Sequence, residues 1–405
     1  MQVEVIYPLT EDGIAYQPGD VFQTTPSRGW RLHDLGVVKA PMPWEYEYRD
    51  EWGDLRKLIG ARPEGIVQFA TRRRRLDELR PGEKLMVIRK YGGLGDILIS
   101  SLLFPDLRDQ YPDIRVTYAP PKQYHPLFAG TGLELVAYED VWTQSTEYHR
   151  GNVRGEVCEA YDLIEDISYP CHVWENLFVA YGGVDGNDGI RWRNRLDMWA
   201  NWIGLTIKNA RTIIRLTEDE RAAGRKRLQA EGTGKPHLLF APISAARSKN
   251  FPWIVEMLQA LNQDYTVHLI HSERLPLSGP QVAGLGLREM GAVCAAADLI
   301  LSVDTSVFHW GGILGRPSIG IFNVNDGATY CKYYPTARWV QTCDTPCINV
   351  KYRNCAKHYT GNLPVIPGLG LEVSRCFSPE SVLQIVEEVN SESGGEKSRS
   401  ARYCA

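Results

Sequence analysis

The sequence predicts an α/β protein made of two doubly wound, Rossmann-like halves with parallel sheets. Three observations predict it. Short apolar, β-branched runs alternate with segments of helical length over 84–185, and the rhythm restarts at His237 and runs to Phe322. The stretch Lys84 to Pro112 opens as a buried strand, turns through Gly92-Gly93-Leu94-Gly95, and continues as an apolar segment with helical spacing. At 405 residues the chain is long enough for two cores, and 43% hydrophobic with 23% charged residues is ordinary for a globular protein.

Composition also excludes. A net charge of −4 gives no global sign of nucleic-acid binding. No apolar run reaches the length of a membrane-spanning helix. The acidic start, MQVEVIYPLTEDG, lacks the basic-then-apolar layout of a signal peptide, so a cytoplasmic location is expected. The nine cysteines are then read as reduced thiols or metal ligands before disulfides.

In chain order, residues 1–45 read as a small appended β-rich module. Val3 to Leu9, the Glu11-Asp12-Gly13 turn, Ile14 to Tyr16, the Pro18-Gly19-Asp20 turn and Val21-Phe22 suggest short antiparallel strands, with a helical stretch to Leu35 and Gly36. Residues 46–82 read as a charged, aromatic linker ending in Arg72 to Arg75. Those four arginines suit a phosphate, but a solvated helix face beside Asp77 and Glu78 is the favoured reading.

Residues 83–232 form the N-terminal half. Strands are expected at Leu85–Ile88, Arg115–Ala119, Leu133–Val136 and Tyr161–Ile164, with mostly helix from 171, where Thr217 caps a helix against Glu220. The tryptophans Trp142, Trp174, Trp192, Trp199 and Trp202 are read as core. Residues 233–390 form the C-terminal half. Strands are expected at His237–Ala241, Tyr265–Ile270, Asp298–Val303 and Ser318–Phe322, and helices at Phe251–Leu261, Leu287–Ala297, Val307–Leu314 and Pro379–Val389. Pro252 suits a first helical turn. The Ser- and Gly-rich tail 391–405 is expected to be disordered.

Three segments carry chemistry. Gly92, Gly93 and Gly95 allow close approach to the backbone, and Asp96 follows them at a helix start. Asp96 is either an N-cap or a general base aimed into the crevice at the carboxyl end of a parallel sheet. The loop 243–250 offers Ser244, Ser248 and Lys249 to a diphosphate, though Lys249 alone reads as a surface lysine. In Ser302 to His309, a strand ends and Asp304, Thr305 and Ser306 open a helix. These groups suit an anion, with His309 about one turn on, or else Asp304 caps and His309 is a packed histidine.

Taken together and in order, these segments resemble the family 9 glycosyltransferases, the ADP-heptose:lipopolysaccharide heptosyltransferases, from about Leu85 to Val389. The "G-D" after the first strand is Gly95-Asp96, with Tyr111-Pro112-Asp113 ending the next helix. The basic residue before "W/F-P" is Lys249 before Phe251-Pro252. The pattern "D-[ST]-G-x-x-H-x-A-x-x-x-G-x-P" is matched by Asp304 to Pro317, with Ser306 in place of glycine and Trp310-Gly311-Gly312 in place of a stretch like "L-A-A". The resemblance implies a GT-B fold and inverting sugar transfer from an ADP-heptose-like donor to a saccharide acceptor, lipid-linked or at the cell surface. No cofactor or metal is implied, and a nucleic-acid acceptor is not favoured. Asp96 is implied as general base, Lys249 as the cation for the leaving diphosphate, and Asp304, Thr305, Ser306 and His309 as ligands of the donor's sugar and diphosphate, while Ser244 stays a donor candidate by its place in the loop. Residues 1–45 lie outside this pattern and resemble small β-rich modules of tailed-phage and prophage proteins. That likeness keeps a second class open, a non-catalytic GT-B scaffold in a phage or host complex.

Cys343, Cys347, Cys355 and Cys376, with His358 nearby, are too loosely spaced for a firm zinc signature. A structural metal cluster is one reading. Reduced packing thiols or a disulfide is the preferred one, and a catalytic thiol is not expected.

Overall fold

The structure, a computed structural model, describes 76–142, 154–168 and 194–342 apart from 91, 246 and 324, most of 365–393, and short strands between 2 and 60. The N-terminal strands are antiparallel. β1 (Gln2–Glu4) pairs with β4 (Val21–Gln23), and β2 (Leu9–Glu11) with β3 (Ile14–Tyr16). The region read as a linker holds a hairpin, β5 (Trp44–Arg49) against β6 (Leu55–Gly60). Trp-Glu-Tyr-Glu-Tyr-Arg alternates with period two, the signature of a strand, and its charges fall on alternate positions of that strand and do not mark a connector. Arg72 to Arg75 and the expected helix near Leu35 lie outside the described residues.

Among its described residues the N-terminal half has four parallel strands, β7 (Lys84–Ile88), β8 (Arg115–Ala119), β9 (Glu134–Leu135) and β10 (Leu163–Asp166), in the order β10-β7-β8-β9. Helices α1 (Leu94–Ser100) and α2 (Leu103–Gln110) follow β7, and α3 (Tyr138–Val141) and α4 (Gly155–Ala160) precede β10. Only α5 (Arg195–Ile203) and α6 (Glu218–Gln229) are helical in the described part of 171–232. Residues 204–217 between them are irregular, held by buried Asp106, whose carboxylate accepts from the amides of Lys208, Asn209 and Ala210. Thr217 caps α6 as expected, with its hydroxyl accepting from Glu220 N at 3.2 Å and Glu220 accepting from Thr217 N at 2.7 Å.

The C-terminal half has six parallel strands: β11 (His237–Ala241), β12 (Thr266–His271), β13 (Gln281–Ala283), β14 (Leu299–Val303), β15 (Ser318–Phe322) and β16 (Ala337–Gln341). Their order is β13-β12-β11-β14-β15-β16. Between them lie α7 (Ile254–Leu261), α8 (Leu287–Ala296), α9 (Ser306–Ile313) and α10 (Gly327–Cys331). The outer strands β13 and β16 were not expected. The hairpin β17 (Val365–Ile366) and β18 (Leu371–Glu372) and the helix α11 (Glu380–Ser393) complete the described chain. Helix α11 extends three residues into the expected tail, and 394–405 lie outside the described residues.

The central strands are apolar because both faces are covered. Leu85 to Ile88 and Leu299 to Val303 are all buried. One apolar cluster joins the halves, running from Leu85, Ile97 and Trp199 through Leu239 and Ile300 to Phe308 and Trp310. Trp310 fits because Gly291 on α8 lies beneath it, where a Cβ would stand 2.8 Å from the ring. In each sheet the strand order reverses at one point, between β7 and β10 and between β11 and β14. Crevices outside the carboxyl ends of strands at such points are where open α/β sheets bind ligands.

Candidate functional site

Asp96 lies just past β7, at the first reversal point. Gly92 has φ +119°, a backbone that side chains avoid, and a Cβ there would meet Asp96 Oδ2 at 2.5 Å and Arg89 Nη2 at 2.7 Å. Helix α1 starts earlier than the sequence suggested, with Gly93 as N-cap and Asp96 third in the helix. Asp96 is therefore not the N-cap. Its Oδ2 reaches back to accept from Gly93 N at 3.2 Å. The same oxygen meets Arg89 Nη2 at 3.3 Å, and Oδ1 accepts from Arg195 Nη1 at the start of α5. The Arg89 guanidinium stacks 4.7 Å from the ring of buried Trp199. Burial would raise the Asp96 carboxyl, but Arg195 and Arg89 outweigh it and hold the group at about 2.

The second reversal point gathers the donor candidates. Asp304, just past β14, is 8% exposed and its Oδ2 takes Lys249 Nζ at 2.7 Å and the side-chain amide of Asn325. Its Oδ1 faces His309 Nε2 at 3.5 Å, and His309 Nδ1 meets the buried Tyr334 hydroxyl at 2.9 Å. Burial pushes Asp304 up, yet the Lys249 ammonium and the His309 hydrogen bond hold it well below the usual carboxylate range. Thr305, not Asp304, is the N-cap of α9, its hydroxyl accepting from Val307 N at 3.2 Å. The Ser306 hydroxyl turns toward Met290 Sδ at 3.8 Å, away from the other candidates. Lys249 closes a short turn, Arg247–Lys249, and Ser244 sits earlier in that loop, its amide donating to Asn250 Oδ1 at 2.8 Å. Helix α7 begins at Ile254, so Pro252 lies before the N-cap Trp253 and not in the first turn.

The two groups meet at one contact. A Cβ on Gly95 would lie 2.6 Å from His309 Cδ2, so α1 and α9 pack with the His309 ring against bare backbone. The neighbouring cleft is lined by Ile99, Asn194, Arg195, Tyr330, Tyr333 and Tyr334 and encloses only about 10 Å³, barely room for one water. The carboxylates of the site are thus engaged by internal partners: arginines for Asp96, Lys249 and Asn325 for Asp304.

Sequence reasoning brought Asp96, Lys249, Asp304 and His309 to one region but missed Arg89, Arg195, Asn325 and Tyr334. Arg89 and Asn325 had a usable signal, Arg89 directly after the buried strand β7 and Asn325 three residues after the buried strand β15. Arg195 and Tyr334 had none, being placed by tertiary packing. Cys343, Cys347, Cys355, Cys376 and His358 lie outside the described residues. Among the described residues, no group of three or more His, Cys, Asp or Glu is arranged to hold a metal ion. Cys294 and Cys331 are buried free thiols, and burial raises both. Among the described residues no helix is long and apolar enough to cross a membrane.

No family model matches the sequence, and no curated protein matches it. Solved structures do match the fold. A family 9 glycosyl transferase from Veillonella parvula DSM 2008 aligns with TM-score 0.52 at 14% identity, over 77% of this chain and 98% of that one. The ADP-heptose LPS heptosyltransferase II of E. coli aligns with TM-score 0.50 at 15% identity, over 76% and 98%. TibC of enterotoxigenic E. coli, a dodecameric iron-containing heptosyltransferase in complex with ADP-D-beta-D-heptose, aligns with TM-score 0.51 at 12% identity, over 77% of each chain. At these identities the likeness establishes a GT-B-like two-domain fold. None of these structures speaks to the phage-module likeness of residues 1–45.

Proposed function

We propose that the chain is an inverting glycosyltransferase that moves a heptose-like sugar from a nucleoside-diphosphate donor to an acceptor hydroxyl. The observation that carries this reading is Asp96 on one half and the Lys249–Asp304–His309 cluster on the other, joined where the Gly95 backbone meets the His309 ring. Inverting transfer needs a base on one side of the anomeric carbon and positive charge for the departing diphosphate on the other. In this reading Asp96 takes the acceptor hydroxyl's proton as its oxygen bonds the anomeric carbon and the bond to the donor phosphate breaks. The Lys249 ammonium, with the N–H groups opening α9, takes up the charge of the leaving diphosphate in place of a metal. Ser244, Asp304, Thr305 and His309 hold the donor, with Ser306 contributing through the backbone that opens α9 and not through its hydroxyl, which turns to Met290. Relatives in fold bind ADP-linked heptose, which makes ADP the nucleotide to test. The acceptor in this reading is a saccharide, lipid-linked or destined for the cell surface, and the transfer takes place in the cytoplasm or at the inner face of the membrane. TibC's iron is not part of the reading.

The test is calorimetric binding of ADP and ADP-heptose to the wild type and to Lys249→Ala. A ligand that binds only the folded chain also raises its melting temperature by mass action. Binding that Lys249→Ala weakens supports the reading, and no binding by any nucleotide sugar overturns it. With a donor in hand, Asp96→Asn should lower transfer by roughly 10²–10⁴-fold with donor affinity kept, and intact turnover would remove Asp96 as base.

One observation favours a second reading. Asp96 and Asp304 are each paired to cations of their own half, which suits a non-catalytic scaffold in which these ion pairs brace the two halves internally. Failure of nucleotide binding would select it.

A further inference from the structure

The first turn of α5 is tied to both halves at once. Asn194, just before the helix, accepts from Leu196 N through Oδ1 at 2.8 Å and donates from Nδ2 to Thr329 O at 2.8 Å. Asp197 accepts from Lys332 Nζ at 2.5 Å and from the Tyr333 hydroxyl. These contacts bolt the turn to the C-terminal half. Arg195, between them, reaches the other way onto Asp96 Oδ1. Four residues on, and so on the same helix face, Trp199 carries the Arg89 guanidinium that meets Asp96 Oδ2. One helix therefore sets both cations on Asp96, and its docking on 329–333 fixes where it stands.

We propose that Arg195 is a positioning residue that masks Asp96, held over the carboxylate by the docking of α5 on 329–333, so that an acceptor must displace it before Asp96 can take a proton. A base left bare beside a bound donor would deprotonate water and hydrolyse it; the mask suppresses that reaction. The consequence rests on the transferase reading, but the mask is testable without it. The charged or titratable groups facing Asp96 are Arg89 from the end of β7, Arg195 from α5, His309 from α9, Tyr118 from β8, Tyr124 between β8 and β9, and Tyr334 after α10.

The test follows the Asp96 carboxyl by carbon NMR in the full chain labelled at its aspartate carboxyls, with Asp96→Asn assigning the signal. Arg195→Ala should raise its titration midpoint by roughly one to two units, and Arg195→Lys by less. Asp197→Asn is the sharper variant, because it leaves Arg195 and Asp96 in place. Loss of a nearby negative charge would by itself lower the Asp96 midpoint, whereas release of the latch raises it. A rise in Asp197→Asn supports the mask; an unchanged or lowered midpoint overturns it. ADP-heptose hydrolysis without acceptor should rise about tenfold in Arg195→Ala, the ratio a barrier change of about 1.4 kcal/mol gives. ADP binding on the same samples separates the two ideas. A midpoint that rises with no ADP bound leaves the mask standing and removes the transferase, and a fixed midpoint with ADP bound does the reverse.

Discussion

Gly95→Ala tests whether the halves meet through His309. The added Cβ would stand 2.6 Å from His309 Cδ2 and 3.3 Å from Nε2. The ring has little freedom to yield. Tyr334 holds Nδ1 at 2.9 Å, Asp304 faces Nε2 at 3.5 Å, and Phe308, Tyr330 and Tyr334 pack around it with centroids 5.7, 6.0 and 5.9 Å away. Relief must come from separating α1 and α9 or from breaking the bonds of His309. Overpacking of this kind costs about 1–3 kcal/mol. Since 1 kcal/mol moves the melting point of a domain this size by about 2–4 °C, a fall of roughly 4–8 °C is expected for a mid-range penalty. Differential scanning calorimetry reads that fall, and ADP titration should show weakened binding in parallel. Gly93→Ala is the control, because Gly93 has φ −75° and open space around its Cβ position. A Gly95→Ala chain that melts with the wild type and binds ADP equally would refute the contact.

Two further outcomes follow from the ion pairs. Lys249→Ala leaves Asp304 without its ammonium in a buried setting and should cost about 3–5 kcal/mol, read by denaturant unfolding, while Lys249→Arg should recover part of it. Asp96 titrates at about 2 against an ordinary 3.8, so its folded form binds protons less readily than the unfolded chain. That difference contributes on the order of 2 kcal/mol, present above about pH 4 and lost as pH falls through about 2. Melting temperature should therefore drop more steeply on acidification in the wild type than in Asp96→Asn; parallel curves would deny the depressed carboxyl.

The sheets were legible because their strands are buried on both faces and written as continuous, almost wholly apolar runs, as in Leu299 to Val303. Strands that lack such runs were not. Gln281–Ala283 is a three-residue edge strand, and Ala337–Gln341 carries an arginine and an exposed tryptophan. Four site residues were legible because each follows a strand or opens a helix, where local pattern and crevice geometry coincide. The partners that set their chemistry were not legible. Arg195 meets Asp96 across 99 positions, and Lys249 meets Asp304 across 55. No periodicity reaches that far. Asp96 as N-cap failed for a local reason, since helix α1 includes Gly95, which a propensity argument places outside it. Packing against His309 overrides that propensity.

Asn325→Asp would reverse the electrostatics around Asp304. The Asn325 amide donates to Asp304 Oδ2, the oxygen that also meets Lys249, and Asn325 is 2% exposed. A carboxylate in its place turns a donor into a second acceptor at hydrogen-bond range, and Lys249 neutralises only one of the two charges. Both cannot ionise there, so the pair keeps a proton at neutral pH and titrates as a unit. In the wild type Asp304 is held low, so acid protonates the unfolded chain first and stability rises with pH. In the variant the added carboxyl has a folded pKa above its unfolded one. Its penalty is absent below about pH 4 and complete once pH passes the raised value, approaching the 3–5 kcal/mol of an uncompensated buried charge. The slope of melting temperature against pH should flatten or change sign above that point. An Asn325→Asp chain whose stability rises with pH as the wild type's does would mean that Asn325 does not hold Asp304 in solution, and the donor side of the site would need another organising contact.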